Sequence, residues 1–207
     1  MLENLLIIDK LCARMKHNLF LIILLCFFGS AIGQGKVSAV GRLNNYSDSV
    51  LKIVNNCSSQ DNEITKAIKQ KNAGDIEKRR TALLQCATEG IKELTAIKSF
   101  DGDPALIYSS RETLNFYKQI AEWDIPQIRD FFIMEKNFLK AKKDFKKKSL
   151  KKYSQAEIYA YNNEVKKYNE GVLRYTQFNE FIANSRKKIW YNWNASQKLF
   201  MDTHRAN

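Results

Sequence analysis

The sequence predicts an all-α protein: an up-down four-helix bundle with a kinked third helix and a long fourth helix, after an N-terminal signal peptide. Three observations lead there. Apolar residues recur at three- and four-residue steps, without the alternation of a half-buried strand. Only two prolines, Pro104 and Pro126, and eight glycines interrupt 207 residues, so long helices can run unbroken. Breaks in the pattern are confined to a few places, at residues 72–75, 101–104 and within 140–152.

Taken in order, residues 15–34 read MKHNLFLIILLCFFGSAIGQ, with Lys16 and His17 ahead of an apolar run from 19 to 28. Ala31 and Gly33 put small residues at the −3 and −1 positions before Gln34, as a signal peptidase requires. A run of ten is too short for a hydrocarbon core that needs about 20 helical residues. The expectation is a signal peptide over 1–33, with Met15 as the true start, because Glu3 and Asp9 fit no part of such a leader. Cleavage before Gln34 leaves 34–207 as a single helical-bundle domain with no transmembrane segment, secreted or held in the periplasm or at the cell surface. Cys26 follows Leu24 and Leu25 rather than a small residue, which argues against a lipid anchor.

Two of the four cysteines, Cys57 and Cys86, lie beyond the leader, and an even count in an exported chain points to a disulfide. They stand fifteen residues before Asn72 and eleven after Asp75, at similar heights on an antiparallel helix pair.

A short lead over 34–41 precedes a first helix from about Leu43 to Lys71, with Val50, Ile53, Val54, Cys57, Ile64 and Ile68 on one face. Asp75 is the expected N-cap of a second helix, whose stripe runs Ile76, Leu83, Cys86, Ala87, Ile91, Leu94 and Ile97 to about Phe100. Gly102 can supply a positive φ, Asp103 a cap and Pro104 a first helical position for the third helix. That helix carries Leu106, Ile107, Leu114, Tyr117, Ile120 and Trp123, is interrupted at Pro126, and resumes with Ile128, Phe131, Phe132, Phe138 and Leu139. Ser154 and Glu157 form a capping box for a fourth helix with a seam of Tyr161, Val165, Tyr168, Val172, Tyr175, Ile182, Ile189, Trp193 and Phe200. Four helices with mostly short links give the up-down bundle.

The formal charge is +12, and residues 34–207 keep about +11 of it. Nine lysines against one acid, Asp144, crowd residues 136–152. Lys140, Lys142, Lys143, Lys146, Lys147, Lys148, Lys151 and Lys152 are the candidate anion-binding residues, for a headgroup surface or a polyanionic glycan. Against this stands a solvated helix end whose lysines suit the negative end of the dipole. Nucleic acid is disfavoured, since the run holds no arginine for bidentate contacts. Phe138 and Phe145, which interrupt the lysines, are expected to pack inward.

The last helix is also rich in aromatics, among them Tyr159, Phe178, Phe181, Trp190 and Tyr191, with asparagines between them. They read as a core seam first and as an aromatic ligand groove second. Enzyme signatures are lacking: no paired Glu-x-x-His, no G-x-S-x-G, no phosphate loop, and a single histidine, His204, beyond the leader. No catalytic, cofactor-binding or metal-ligating residue is therefore assigned, and no cofactor is expected. N-x-[ST] occurs at Asn45, Asn56 and Asn194, about as often as chance allows.

The phrases YNNEVKKYNEGVLRYTQFNEF and WNASQKLFMDTH resemble the long final helix of small exported bacterial helical-bundle proteins, surface proteins and lipoproteins of unknown function. That resemblance implies an envelope location and carries over no site residues. The sequence thus reads as an exported bundle that binds or scaffolds an envelope or extracellular partner. The alternatives are an anion- or membrane-surface binder acting through 136–152, an exported enzyme with an interhelical carboxylate or tyrosine pocket, and a self-associating structural protein.

Overall fold

The computed structural model describes residues 38–147 and 153–206. The expected signal peptide and its cleavage point lie outside the described residues. Those that are described form a helical bundle of four helices and no β-strand. They are α1 (Ala39–Lys69), α2 (Ala73–Ala96), a third helix in two α-helical parts, α3 (Ala105–Gln119) and α4 (Ile125–Phe145), and α5 (Gln155–Arg205). Residues from Leu43 onward make one compact unit. Of the unit before it, only the start of α1 is described, where the Ser38 hydroxyl accepts the Gly41 N–H at 3.0 Å. The first helix thus begins at Ala39, inside the stretch expected to be a lead.

The α1–α2 turn is closed by two backbone hydrogen bonds, Lys71 N–H to Ile68 C=O (3.0 Å) and Asn72 N–H to Ala67 C=O (3.3 Å). With Lys71 at φ 53°, this is a Schellman ending with lysine where glycine is usual. Asn72, not Asp75, is the N-cap of α2: its Oδ1 accepts the Asp75 N–H at 3.1 Å. Asn72 is the first residue after the left-handed step, so the chain re-enters the helix three residues before Asp75. The disulfide joins Cys57 to Cys86 with Cα atoms 5.6 Å apart. Closing a loop of 29 residues contributes about 3–4 kcal/mol in the chain-entropy model. One turn on, Gly90 lets three helices approach: a Cβ there would meet Ile53 Cγ2 and Leu114 Cδ1, each at 2.9 Å.

The second helix ends at Ala96, short of Phe100, and Asp101 and Gly102 take positive φ of 48° and 86°. Asp103 accepts the Ala105 N–H at 2.8 Å, so α3 starts one residue after Pro104. Before Pro126 the helix does not break. It widens into a π turn over Ile120–Asp124 that absorbs the proline at the start of α4. The wider turn changes which residues face inward: Ile120, Ala121, Asp124 and Ile125 are buried. Trp123, expected in the apolar stripe, is 69% exposed for the same reason.

Side-chain pairs fix the register of neighbouring helices. Tyr46 meets Phe200 and Asp61 meets Arg186, so α1 and α5 oppose one another in residue order. Glu77 meets Arg129 and Thr95 meets Arg111, which opposes α2 to the third helix. The core between them includes Val54, Ile64, Leu83, Leu94, Leu114 and Ile128, all essentially sealed. Trp193 donates its indole N–H to the buried Ser110 hydroxyl at 3.0 Å. At one end Tyr46, Phe100, Phe200 and His204 pack ring on ring, and His204 Nε2 lies 3.0 Å from Asp103 Oδ2.

The stretch 58–63, which reads as polar in the sequence, hides the most deeply placed ion pair. Asp61 is 6% exposed and takes the Arg186 Nε–H at 2.8 Å on Oδ2. Burial pushes the Asp61 carboxyl up, and Arg186 offsets only part of the rise. Removing one partner strands the other away from water. We expect Arg186→Met to cost about 2–3 kcal/mol in urea unfolding, below the 3–5 kcal/mol of a fully buried pair because Arg186 keeps a fifth of its side chain in solvent. The double change Asp61→Leu with Arg186→Met is expected to recover most of that loss.

A second cluster ties α2 to the π turn. Glu77 accepts from Arg80 Nε at 3.0 Å and from Arg129, while Arg80 Nη1 donates to the Ala121 carbonyl of the π turn at 3.2 Å. The Arg80 bond, aided by Arg129, lowers the Glu77 carboxyl from 4.5 to about 2. A depressed carboxylate stabilises the fold above its unfolded pKa, and that contribution is lost as pH falls through the folded value. The loss therefore falls between about pH 4.5 and pH 2. The side chain is 37% exposed, so the effect is modest. Acid titration of stability in Glu77→Gln is expected to be shallower than wild type across that window and parallel to it above pH 5 or so.

Candidate functional site

At 51 residues, α5 is far longer than α1 or α2, and its first part has neither of them beside it. The α1–α2 turn meets α4 where Lys71 Nζ bonds both oxygens of Glu135, at 2.9 and 3.0 Å. Beyond Glu135, α4 runs ten residues further to Phe145, about 15 Å at 1.5 Å per residue. Lys136, Asn137 and Leu139 still line a groove with the α1–α2 turn; past them, among the described residues, α4 packs on α5. Together they form a two-helix arm.

A ladder of stacked rings holds the arm. Phe131 lies on Tyr175 (centroids 4.6 Å), Phe138 on Tyr168 (4.2 Å) and Phe145 on Tyr161 (4.0 Å), with interplanar angles of 13° or less. Each rung is seven residues from the next on both helices, the heptad spacing of an antiparallel coiled pair. Tyr153 stacks on Phe145 from the far side (4.2 Å) and donates its hydroxyl to the Phe145 carbonyl, tying the connection to the arm's end. Ser154 and Glu157 form the expected capping box where α5 begins. The inward packing expected of Phe138 and Phe145 is what the structure shows.

With the rings turned inward, the lysines of α4 face water. Lys140, Lys142, Lys143, Lys146 and Lys147 are exposed, together with Lys136, while Lys148, Lys151 and Lys152 lie outside the described residues. Lys142 also sits over the Phe138 ring, 5.9 Å from its centroid. Asp144 bonds Lys147 at 2.8 Å. That bond holds the Asp144 carboxyl below its ordinary range, and the fields of Lys140 and Lys143 add to the shift. The single acid is thus outnumbered where it stands. The part of α5 opposite is mixed in charge, with Glu157 and Glu164 against Lys166 and Lys167. The positive face belongs to α4.

Two seam assignments need correction here. Leu139 is 53% exposed: it continues the α4 face of Ile128 and Phe132, but beside it the α1–α2 turn leaves a groove in place of a packed contact. Val172 is 36% exposed, and the buried position beside it is Gly171. The aromatics of α5 are likewise divided: Tyr168 and Tyr175 pack against the core, whereas Tyr159, Phe181 and Tyr191 stand in solvent.

Several buried titratable groups are held by partners, while one Asp124 oxygen is buried without a hydrogen bond among the described residues. Asp61 is held through both oxygens by Arg186, and burial pushes the nearby Tyr117 hydroxyl up. His204 is 13% exposed and bonded to Asp103. Among the described residues, no group of three or more His, Cys, Asp or Glu side chains is placed to hold a metal ion, and no helix is long and apolar enough to cross a membrane.

Comparison with protein-family models, curated proteins and solved structures returns no match.

Proposed function

We propose that this chain is an exported, non-enzymatic binding protein of the cell envelope or extracellular space that uses its basic arm to hold an anionic surface. The four helices are read as an up-down-up-down bundle with the arm as the extension of its second half. The observation that carries the reading is the row of exposed lysines on and just past the end of α4: Lys136, Lys140, Lys143, Lys146 and Lys147, with Lys142 nearer the ring ladder; among the described residues no helix covers them. Spread over about 15 Å, they act as a unit on an extended polyanion or a sheet of headgroups. Lysine suits this task, being a hydrated point charge that needs no fixed bidentate geometry. Export is supported by the leader-like run before Gln34 and by a Cys57–Cys86 bridge suited to an oxidising compartment.

The ladder rings of the arm are turned inward, so the lysines carry the contact, with Leu139 exposed among them. Such binding is screened by salt. Each lysine near an anionic membrane is worth about 1 kcal/mol. Co-sedimentation with vesicles containing phosphatidylglycerol, and retention on immobilised heparin, test the reading in parallel. Wild type is expected to bind at low salt and to release as salt rises. Replacing Lys136, Lys140, Lys143 and Lys146 by glutamine is expected to weaken binding at least about tenfold with the thermal melt unchanged. Binding to vesicles alone would assign a headgroup surface, and binding to heparin alone a polyanionic polymer. Undiminished binding by the quadruple variant, or binding to neither, overturns the proposal.

A further inference from the structure

On another side of the α4–α5 pair, between the π turn and the arm, the two helices leave a cleft of about 230 Å³. Its floor is apolar, made by Phe131, Met134 and Phe178. The cleft depends on Gly171, the one glycine in α5. A Cβ at that position would collide with the Met134 Cε, so only a bare backbone lets the thioether rest against the helix. With Met134 drawn down onto α5, the space above it stays open.

The rim is unevenly charged. Asp130 is spent on Arg129, 2.7 Å away. Gln127 gives its amide N–H to the Trp123 carbonyl at 3.2 Å. Arg174 is exposed and, among the described residues, has neither an ion pair nor a hydrogen bond. One uncommitted guanidinium therefore stands over an apolar floor. Helical spacing carries the same faces onward to two exposed rings: Trp123 is one turn before Gln127, and Phe181 three residues after Phe178. The π turn is what turns Trp123 outward, and π turns within helices recur at functional sites.

We infer that this cleft is a binding site for a compact amphipathic carboxylate, its anionic end on Arg174 and its ring or branched alkyl body against Phe131, Met134 and Phe178. The volume is below the ~300 Å³ at which drug-sized pockets begin, which limits the ligand to one or two rings. Arginine matches a carboxylate in a planar, two-bond geometry that a lysine cannot supply. This site is independent of the lysine face, and either can fail without the other.

The test is calorimetric titration of the full chain with 2-naphthoate and with its neutral analogue 2-naphthamide. Naphthoate is expected to bind one per chain, and naphthamide roughly tenfold more weakly, the loss of one charge-assisted hydrogen-bonded contact. Arg174→Gln is expected to bring naphthoate down to the level of naphthamide and to leave naphthamide unchanged. Arg174 is exposed, so this variant keeps its fold. Gly171→Ala pushes the Met134 methyl off α5 and is expected to weaken binding of both, with helicity retained by circular dichroism. Glutamine at Lys136, Lys140, Lys143 and Lys146 is expected to leave naphthoate affinity unaltered. No naphthoate binding, equal affinity for acid and amide, or indifference to Arg174→Gln overturns the inference. Saturation at many sites per chain would do so too, by showing a merely sticky apolar surface.

Discussion

The length of α5 is the constraint from which the rest of the architecture follows. At 1.5 Å per residue its 51 residues span about 76 Å, while the 31 of α1 and the 24 of α2 reach only about 46 and 36 Å. A helix hairpin that short can cover only part of so long a partner. The third helix makes up the difference by continuing through the π turn, so that α4 accompanies α5 past the last contact with α1 and α2. Two helices alone have little interior to bury. The arm meets that shortage with large flat rings, one rung every seven residues, which gain more contact per side chain than aliphatic residues could. Its charge follows from the same geometry. Positions on α4 that would face a neighbour in the bundle face water in the arm, and there the chain carries lysines with Leu139 among them.

The bundle half is secured by different means. The Cys57–Cys86 bridge fixes α1 to α2 near their middle, Gly90 lets α2 close on both α1 and α3, and Asp61 with Arg186 joins α1 to α5. These contacts bring elements far apart in sequence together. The ion pair spans 125 residues, and an alternative registration of α5 would leave Asp61 buried alone. Its net worth to stability is small beside the penalty for breaking it, so it serves to specify the register rather than to strengthen the fold.

Much of this was legible in the sequence because it depends on local periodicity and turn chemistry. The helix number, the break at Asp101–Gly102, the Ser154–Glu157 capping box and the cystine all follow from residue spacing. What could not be read was where one helix outruns another. Leu139 has the spacing of a core residue, and only the end of α1 and α2 leaves it bare. Trp123 was misplaced because a π turn leaves no mark in a pattern counted at 3.6 residues per turn; Pro126 signalled a disturbance, not its form. Asp61 lay in a stretch that looked like a polar gap, since its partner is on a distant helix. Arg174 and Gly171 carry no signal in the sequence for the same reason. One stands in a long row of charged residues, and the meaning of the other depends on Met134 across the interface. The lysine face was seen as a charge run, but its orientation depended on the rings of α4 and α5 finding one another.

The central claim is that the aromatic ladder orders the arm without help from α1 and α2. Hydrogen exchange along α4 and α5, read by mass spectrometry in wild type and in Phe138→Ala, tests it most directly. The account predicts that wild-type segments 136–145 and 155–168 are protected well above an unfolded chain. It also predicts that the substitution removes protection from those two segments together while 43–119 exchanges as before. Segments that exchange at unfolded rates in wild type, or a loss of protection that spreads evenly through the bundle, would contradict it.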